Sequence, residues 1–180
     1  MKSIQEVGGQ VLTIASEYPK GYKWYKLYKD SIGQLLYVRS GEEVVGRITW
    51  KGIRPHALAE SASGRWIFIR RVELLDDAHT EIVAAEFNSH IATFKKLKRN
   101  SVRGVLEFPN GRNFSWDVSD SRRLEYAFTD ADNRPLLNFT RRFLAHANVE
   151  IDPDAFSVPE LPLLVLLGCY LVVIVYDLWV

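Results

Sequence analysis

The most basic stretch of the chain, TFKKLKRNSVR, brings together Lys95, Lys96, Lys98 and Arg99, with Arg103 just beyond. Ammonium and guanidinium groups at this density suit an anionic headgroup or phosphate, whose oxygens accept charge-assisted hydrogen bonds. On a strand, Lys96 and Lys98 share one face, while Lys95 and Arg99 share the other. They make one patch only if the strand stops early. The same residues equally suit an edge strand, where lysines block pairing with a second sheet. Three Arg-Arg pairs, at 70–71, 122–123 and 141–142, each put one arginine on either face of a strand. An arginine pointing into the mouth of a barrel is a ligand-binding candidate; a solvated strand-end cation is the plainer reading.

Aromatic residues supply the second signal. Tyr22, Trp24, Tyr25 and Tyr28 are interleaved with Lys20, Lys23, Lys26 and Lys29. Such a pattern fits a membrane interface or stacked single-stranded nucleic acid. It also fits a strand that packs one face inward and covers the other with lysine stems.

Catalytic and metal chemistry find little support. Asp130, Asp132 and Asn133 imitate the start of a calcium loop, but Pro135 stands where glycine is needed and Arg141 where glutamate is needed. His56, His79, His90 and His146 are scattered without ligand spacing, so no zinc site is expected. There is no G-x-S-x-G elbow, phosphate-binding loop or dinucleotide fingerprint. Sequons at Asn113 and Asn138 lack a secretory context, because Met1–Gln10 is polar and no apolar signal core follows. The expectation is a protein that is not an enzyme and needs no cofactor.

Charge and cysteine content narrow the partners. With 23 Lys or Arg against 22 Asp or Glu, no global field draws in nucleic acid, which is disfavoured as a partner. The lone Cys169 lies inside an apolar run, so a disulfide framework is absent and a reducing cytoplasm fits best.

The elements that must position these groups are mostly strands. Alternation at period two, broken by turn residues, predicts strands over 21–29, 34–40, 44–50, 57–61, 65–74, 81–88, 91–98, 102–108 and 112–118. Three more follow, around Leu124–Phe128, around Leu137–Phe139, and ending near Ile151. Pro109-Asn110-Gly111 is a hairpin signal, since its glycine supplies positive φ. Nothing divides the chain, so residues 1–180 read as one domain: an N-terminal segment over 1–19, strands over 20–152, and a helix over 159–178. In the first segment, Val11, Leu12 and Ile14 suit either a strand or a short covering helix.

The terminal run LPLLVLLGCYLVVIVY carries no charge over sixteen residues. A helix apolar on every side must be enclosed by lipid or by protein. As a helix the run spans about 24 Å, short of a hydrocarbon core of roughly 30 Å. Its flanks, Glu160 and Asp177, are acidic where a membrane anchor is usually basic. About twelve strands leave a barrel interior wider than side chains alone fill, and a helix is about 10–12 Å across. The economical solution is an all-β closed antiparallel barrel of about twelve strands enclosing the C-terminal apolar helix. A C-terminal membrane anchor is the alternative.

Over 104–141 the chain resembles the strand–turn pattern of the tubby-like superfamily, which includes tubby C-terminal domains, phospholipid scramblases and LURP-one-related proteins. The similar elements are an apolar strand, the turn Gly111-Arg112, the aromatic pair Phe114 and Trp116, and an Asp-rich turn before Leu136. Gly64-Arg65-Trp66 repeats the theme, and the apolar terminus matches a helix that the family encloses in a twelve-stranded barrel. The resemblance implies phosphoinositide or membrane binding but no particular site residues. The expected function is therefore a non-catalytic binding or scaffolding module, cytoplasmic or peripheral at a membrane. Its favoured ligand is an anionic, phosphoinositide-like lipid headgroup bound by Lys95, Lys96, Lys98, Arg99 and Arg103. A protein-interaction or purely structural barrel is the rival.

Overall fold

Around Gly111 the backbone reverses within five residues. Gly111 takes φ +85° and donates to the Phe108 carbonyl at 3.0 Å, and the Asn110 side chain accepts from the Arg112 amide. The turn joins two paired strands, and the same device repeats around the molecule. In this computed structural model the described residues are 1–7, 11–17, 35–50, 56–71, 79–97, 102–120, 125–142 and 146–177.

Twelve strands result: β1 Leu12–Glu17, β2 Leu35–Ser40, β3 Glu43–Trp50, β4 His56–Ser61, β5 Gly64–Arg71, β6 His79–Ala84, β7 Ser89–Lys96, β8 Gly104–Glu107, β9 Asn113–Asp120, β10 Glu125–Thr129, β11 Pro135–Arg142 and β12 His146–Ile151. Each pairs antiparallel with its sequence neighbours, and β1 pairs with β12, so the sheet closes without an edge. The final element is helix α1, Leu161–Asp177.

Most boundaries shift by a few residues from the expectations, and three of the differences bear on the ring. The ring is closed by β1, which lies inside the segment expected to precede the strands; the strand expected over 21–29 falls outside the described residues. The strand expected over 81–88 stops at Ala84, because Asn88 adopts φ +49° in the following turn. The strand expected over 102–108 shortens to β8.

Every residue from Leu161 to Val172 of α1 is buried, and the helix meets the inward side chains of the ring. The helix is thus the core of the barrel. Size is matched locally. Gly46 on β3 leaves room for Leu166, and Gly168 faces Phe139 on β11. Trp116, Tyr126, Phe128 and Phe139 fill the β9–β11 side as one aromatic cluster, with ring centroids 4.7 to 6.3 Å apart.

The outer face holds one well-built ion cluster. Glu60 on β4, only 8% exposed, lies directly across from Arg47 on β3 and Arg65 on β5. Its two oxygens accept from the Nε groups at 2.5 and 3.0 Å. The Arg47 hydrogen bond leads in holding this carboxyl below the ordinary glutamate range. A depressed carboxyl stabilises the fold above its unfolded pKa, about 4.3, and that contribution disappears as pH falls through the lower folded value. Glu60→Gln is expected to cost about 1–2 kcal/mol at neutral pH, since both arginines are half exposed and screened. Urea unfolding checks this. The gap between wild type and variant should close on acidification below about pH 4.3; a gap that persists would assign the effect to packing.

Candidate site at the Tyr170 end of the barrel

An up-and-down barrel sorts its connections alternately to two ends. The links after β2, β4, β6, β8 and β10, with the N-terminus and the β12–α1 linker, share one end. There Ile4 and Ala155 are fully buried, and Arg112 bonds Glu160, just before α1, at 2.8 Å. This end is plugged. From it α1 runs toward the opposite mouth, where Tyr170 lies near Trp50, at the last position of β3, and interacts with Arg70 and Thr80.

The same alternation sorts charge. Connections at the plugged end contain three Lys or Arg against eight Asp or Glu. The sequence linking strand ends at the mouth contains eleven against four, much of it outside the described residues. In a chain that is neutral overall, alternate connections thus differ in charge by sequence.

The expected site residues map onto this mouth unevenly. Lys95 points outward from β7, and its Nζ bonds Glu107 Oε2 on β8 at 2.6 Å. Arg103, just before β8, bonds Asp117 on β9 at 2.6 Å through Nε. Lys96 takes the opposite, inward parity, is half-buried, and pairs in register with Gly104. Lys98 and Arg99 lie outside the described residues. The structure thus brings Lys95 and Arg103 onto neighbouring outer positions, each with an acidic partner, and separates Lys96 from them. Exposed pairs of this kind contribute about 0–1 kcal/mol.

The arginine pairs divide as parity requires. Arg71 faces out and bonds Glu81 at 3.0 Å, whereas Arg70 shares the inward parity of Phe68. Arg122 and Arg123 lie outside the described residues; Arg141 and Arg142 end β11 opposite Ala147 and His146. Residues not singled out from sequence are Thr80 and Tyr170. The signal for Tyr170 was present, as the single hydroxyl in an otherwise apolar helix.

Other chemistry is sparse. Burial pushes the Cys169 thiol well above its ordinary range, leaving it protonated and unreactive at neutral pH. Among the described residues, no three His, Cys, Asp or Glu side chains converge as metal ligands, and no helix is long and apolar enough to cross a membrane. Comparison with protein-family models, with curated proteins and with solved structures finds no match to this chain.

Proposed function

We propose that this chain is a non-catalytic binding module that docks the end of the barrel with the basic connections on an anionic, phosphoinositide-like lipid surface. The observation that carries the reading is the sorting of charge in the sequence between alternate connections of the barrel. A tubby-like relationship, proposed from the sequence pattern, agrees with a barrel wound around an apolar helix and with lipid as the ligand class. On this reading the protein works in the cytoplasm and peripherally at a membrane, without a cofactor. The acidic, plugged end then faces away from the lipid, which orients the molecule.

Each cation near an anionic surface contributes about 1 kcal/mol, screened beyond a Debye length. Changing Lys95, Lys96 and Lys98 together to Ala is therefore expected to weaken binding by roughly tenfold to a hundredfold. Sedimentation with phosphatidylcholine vesicles, with and without a phosphoinositide, at low and high salt, tests this. Binding that is absent, or that ignores both salt and the substitutions, would favour a protein-interaction or structural role instead.

A further inference from the structure

Outward residues of β5–β8 near the Tyr170 end fall into two register rows. In the row nearer that end, Arg71 on β5 lies across from His79 on β6, and His79 across from Lys95 on β7. Two residues back toward the plugged end, Glu81 on β6 lies across from Thr93 on β7, and Thr93 across from Glu107 on β8. Paired strands lie about 4.7–4.9 Å apart, so each row is a compact line across the outer wall. The rows differ in sign. Arg71 bonds Glu81 at 3.0 Å and Lys95 bonds Glu107 at 2.6 Å, each cation reaching back to the acidic row. His79 stands between them, 3.9 Å from Glu81.

The β7–β8 ladder continues one residue past Lys96, because the Leu97 amide donates to the Arg103 carbonyl at 3.0 Å. That bond holds Leu97 on the same face as Lys95, with its side chain 61% exposed. Among the described residues, the other large exposed apolar side chains are Met1, Val11 and Phe87, and all three lie at the plugged end. Leu97 instead has Lys95 and Arg103 beside it, and Arg103 bonds Asp117. A single exposed leucine on a protein wall is ordinary. One pinned by a backbone bond just beyond a row of cations has the layering of an interfacial anchor, with charge at headgroup depth and apolar surface below it. A soluble anion would engage the cations and leave Leu97 in water; a bilayer engages both.

We propose that Leu97 inserts at the acyl boundary of an anionic bilayer while Arg71, His79, Lys95 and Arg103 lie among its headgroups. The barrel then docks on the β5–β8 corner of its Tyr170 end. The inference deepens the lipid reading and rests on it. The cations supply an attraction that salt screens, and Leu97 supplies a component that salt does not weaken.

Sedimentation with phosphatidylcholine vesicles containing a phosphoinositide tests the docking corner. The proteins are wild type, Leu97→Ser, Arg71→Gln and two controls from the plugged end, Phe87→Ser and Arg134→Gln. Leu97→Ser should weaken binding about fivefold to tenfold, by a factor that persists in high salt. Arg71→Gln should weaken it about threefold to fivefold at low salt and less at high salt. Both controls should bind like wild type. A polarity-sensitive fluorophore attached at Leu97→Cys reads depth directly, since Cys169 is buried and the label goes to the introduced thiol. Its emission should shift to the blue on vesicles and be quenched by lipids that carry a spin label on the acyl chain. The same label at Phe87→Cys should do neither. Vesicle binding that is salt-sensitive and lost on changing Lys95, Lys96 and Lys98 to Ala, yet indifferent to Leu97→Ser with the label still in water, would overturn this inference and leave the lipid reading standing. Binding lost with Phe87→Ser instead would overturn the docking corner. Wild type that ignores the vesicles would remove both.

Discussion

Leu166→Asp is expected to abolish folding. Leu166 is fully buried at the centre of α1, against β3, where a Cβ built on Gly46 would lie 2.8 Å from Leu166 Cδ2. Leu166 is enclosed by apolar side chains of the core, so a carboxylate there must be protonated or leave the barrel with its helix. Either outcome costs more than about 4–5 kcal/mol, a large share of the stability of an ordinary domain. Leu166→Met keeps volume and polarity and should cost less than about 1.5 kcal/mol. Removing the chain from Leu161 onward is the stronger form of the same test. Twelve strands would close around nothing, and the expected product is insoluble. Soluble truncated protein with an unchanged thermal transition would sink the enclosed-core account, and solubility improved by truncation is what a membrane anchor predicts.

The helix was legible because its apolar character has no weak face. Residues 161–176 lack any charge, so enclosure was required whatever the surroundings. The hairpin at Asn110-Gly111 was legible for a different reason, since positive φ there demands glycine. Strand ends were harder. Phe87 extended the alternation of β6 on paper, yet it is 80% exposed in a turn. Closure by β1 was obscure because only Leu12 and Ile14 mark its inward face, a signal too short to separate strand from helix.

The mouth was partly hidden by order of reading. Each turn carries only a few charges, and their sorting emerges when every second connection is assigned to the same end. Parity placed Arg70 and Arg71 on opposite faces but could not say which was inside. Trp66 and Phe68 on one face and Ile67 and Ile69 on the other are equally apolar, so hydrophobicity did not choose. Burial chose: Phe68 is enclosed and both isoleucines are half exposed. The acidic partners of Lys95 and Arg103 come from neighbouring strands, and pairing register is not contained in the basic run itself.

Gly168→Val is expected to destabilise the protein by more than about 3 kcal/mol, against the sign that helix propensity alone would give. In an exposed helix, replacing glycine with alanine stabilises by about 1 kcal/mol. Here an added Cβ would lie 2.1 Å from Phe139 Cζ and 2.7 Å from both Cε atoms. Phe139 has little freedom to retreat, being fully buried and wedged edge-on against Trp116 at 5.3 Å and Phe128 at 6.3 Å. Alanine should therefore be destabilising too, by about 1–3 kcal/mol, and valine worse because it is also branched. Phe139→Leu opens the contact from the other side. Combined with Gly168→Ala in urea unfolding, it should recover at least about 1 kcal/mol relative to additivity, as expected for residues in direct contact. A Gly168→Ala protein as stable as wild type would mean that α1 slides or rotates within the ring. The pairing of a glycine on the helix with a large ring on β11, and of Leu166 with a glycine on β3, would then not fix its position.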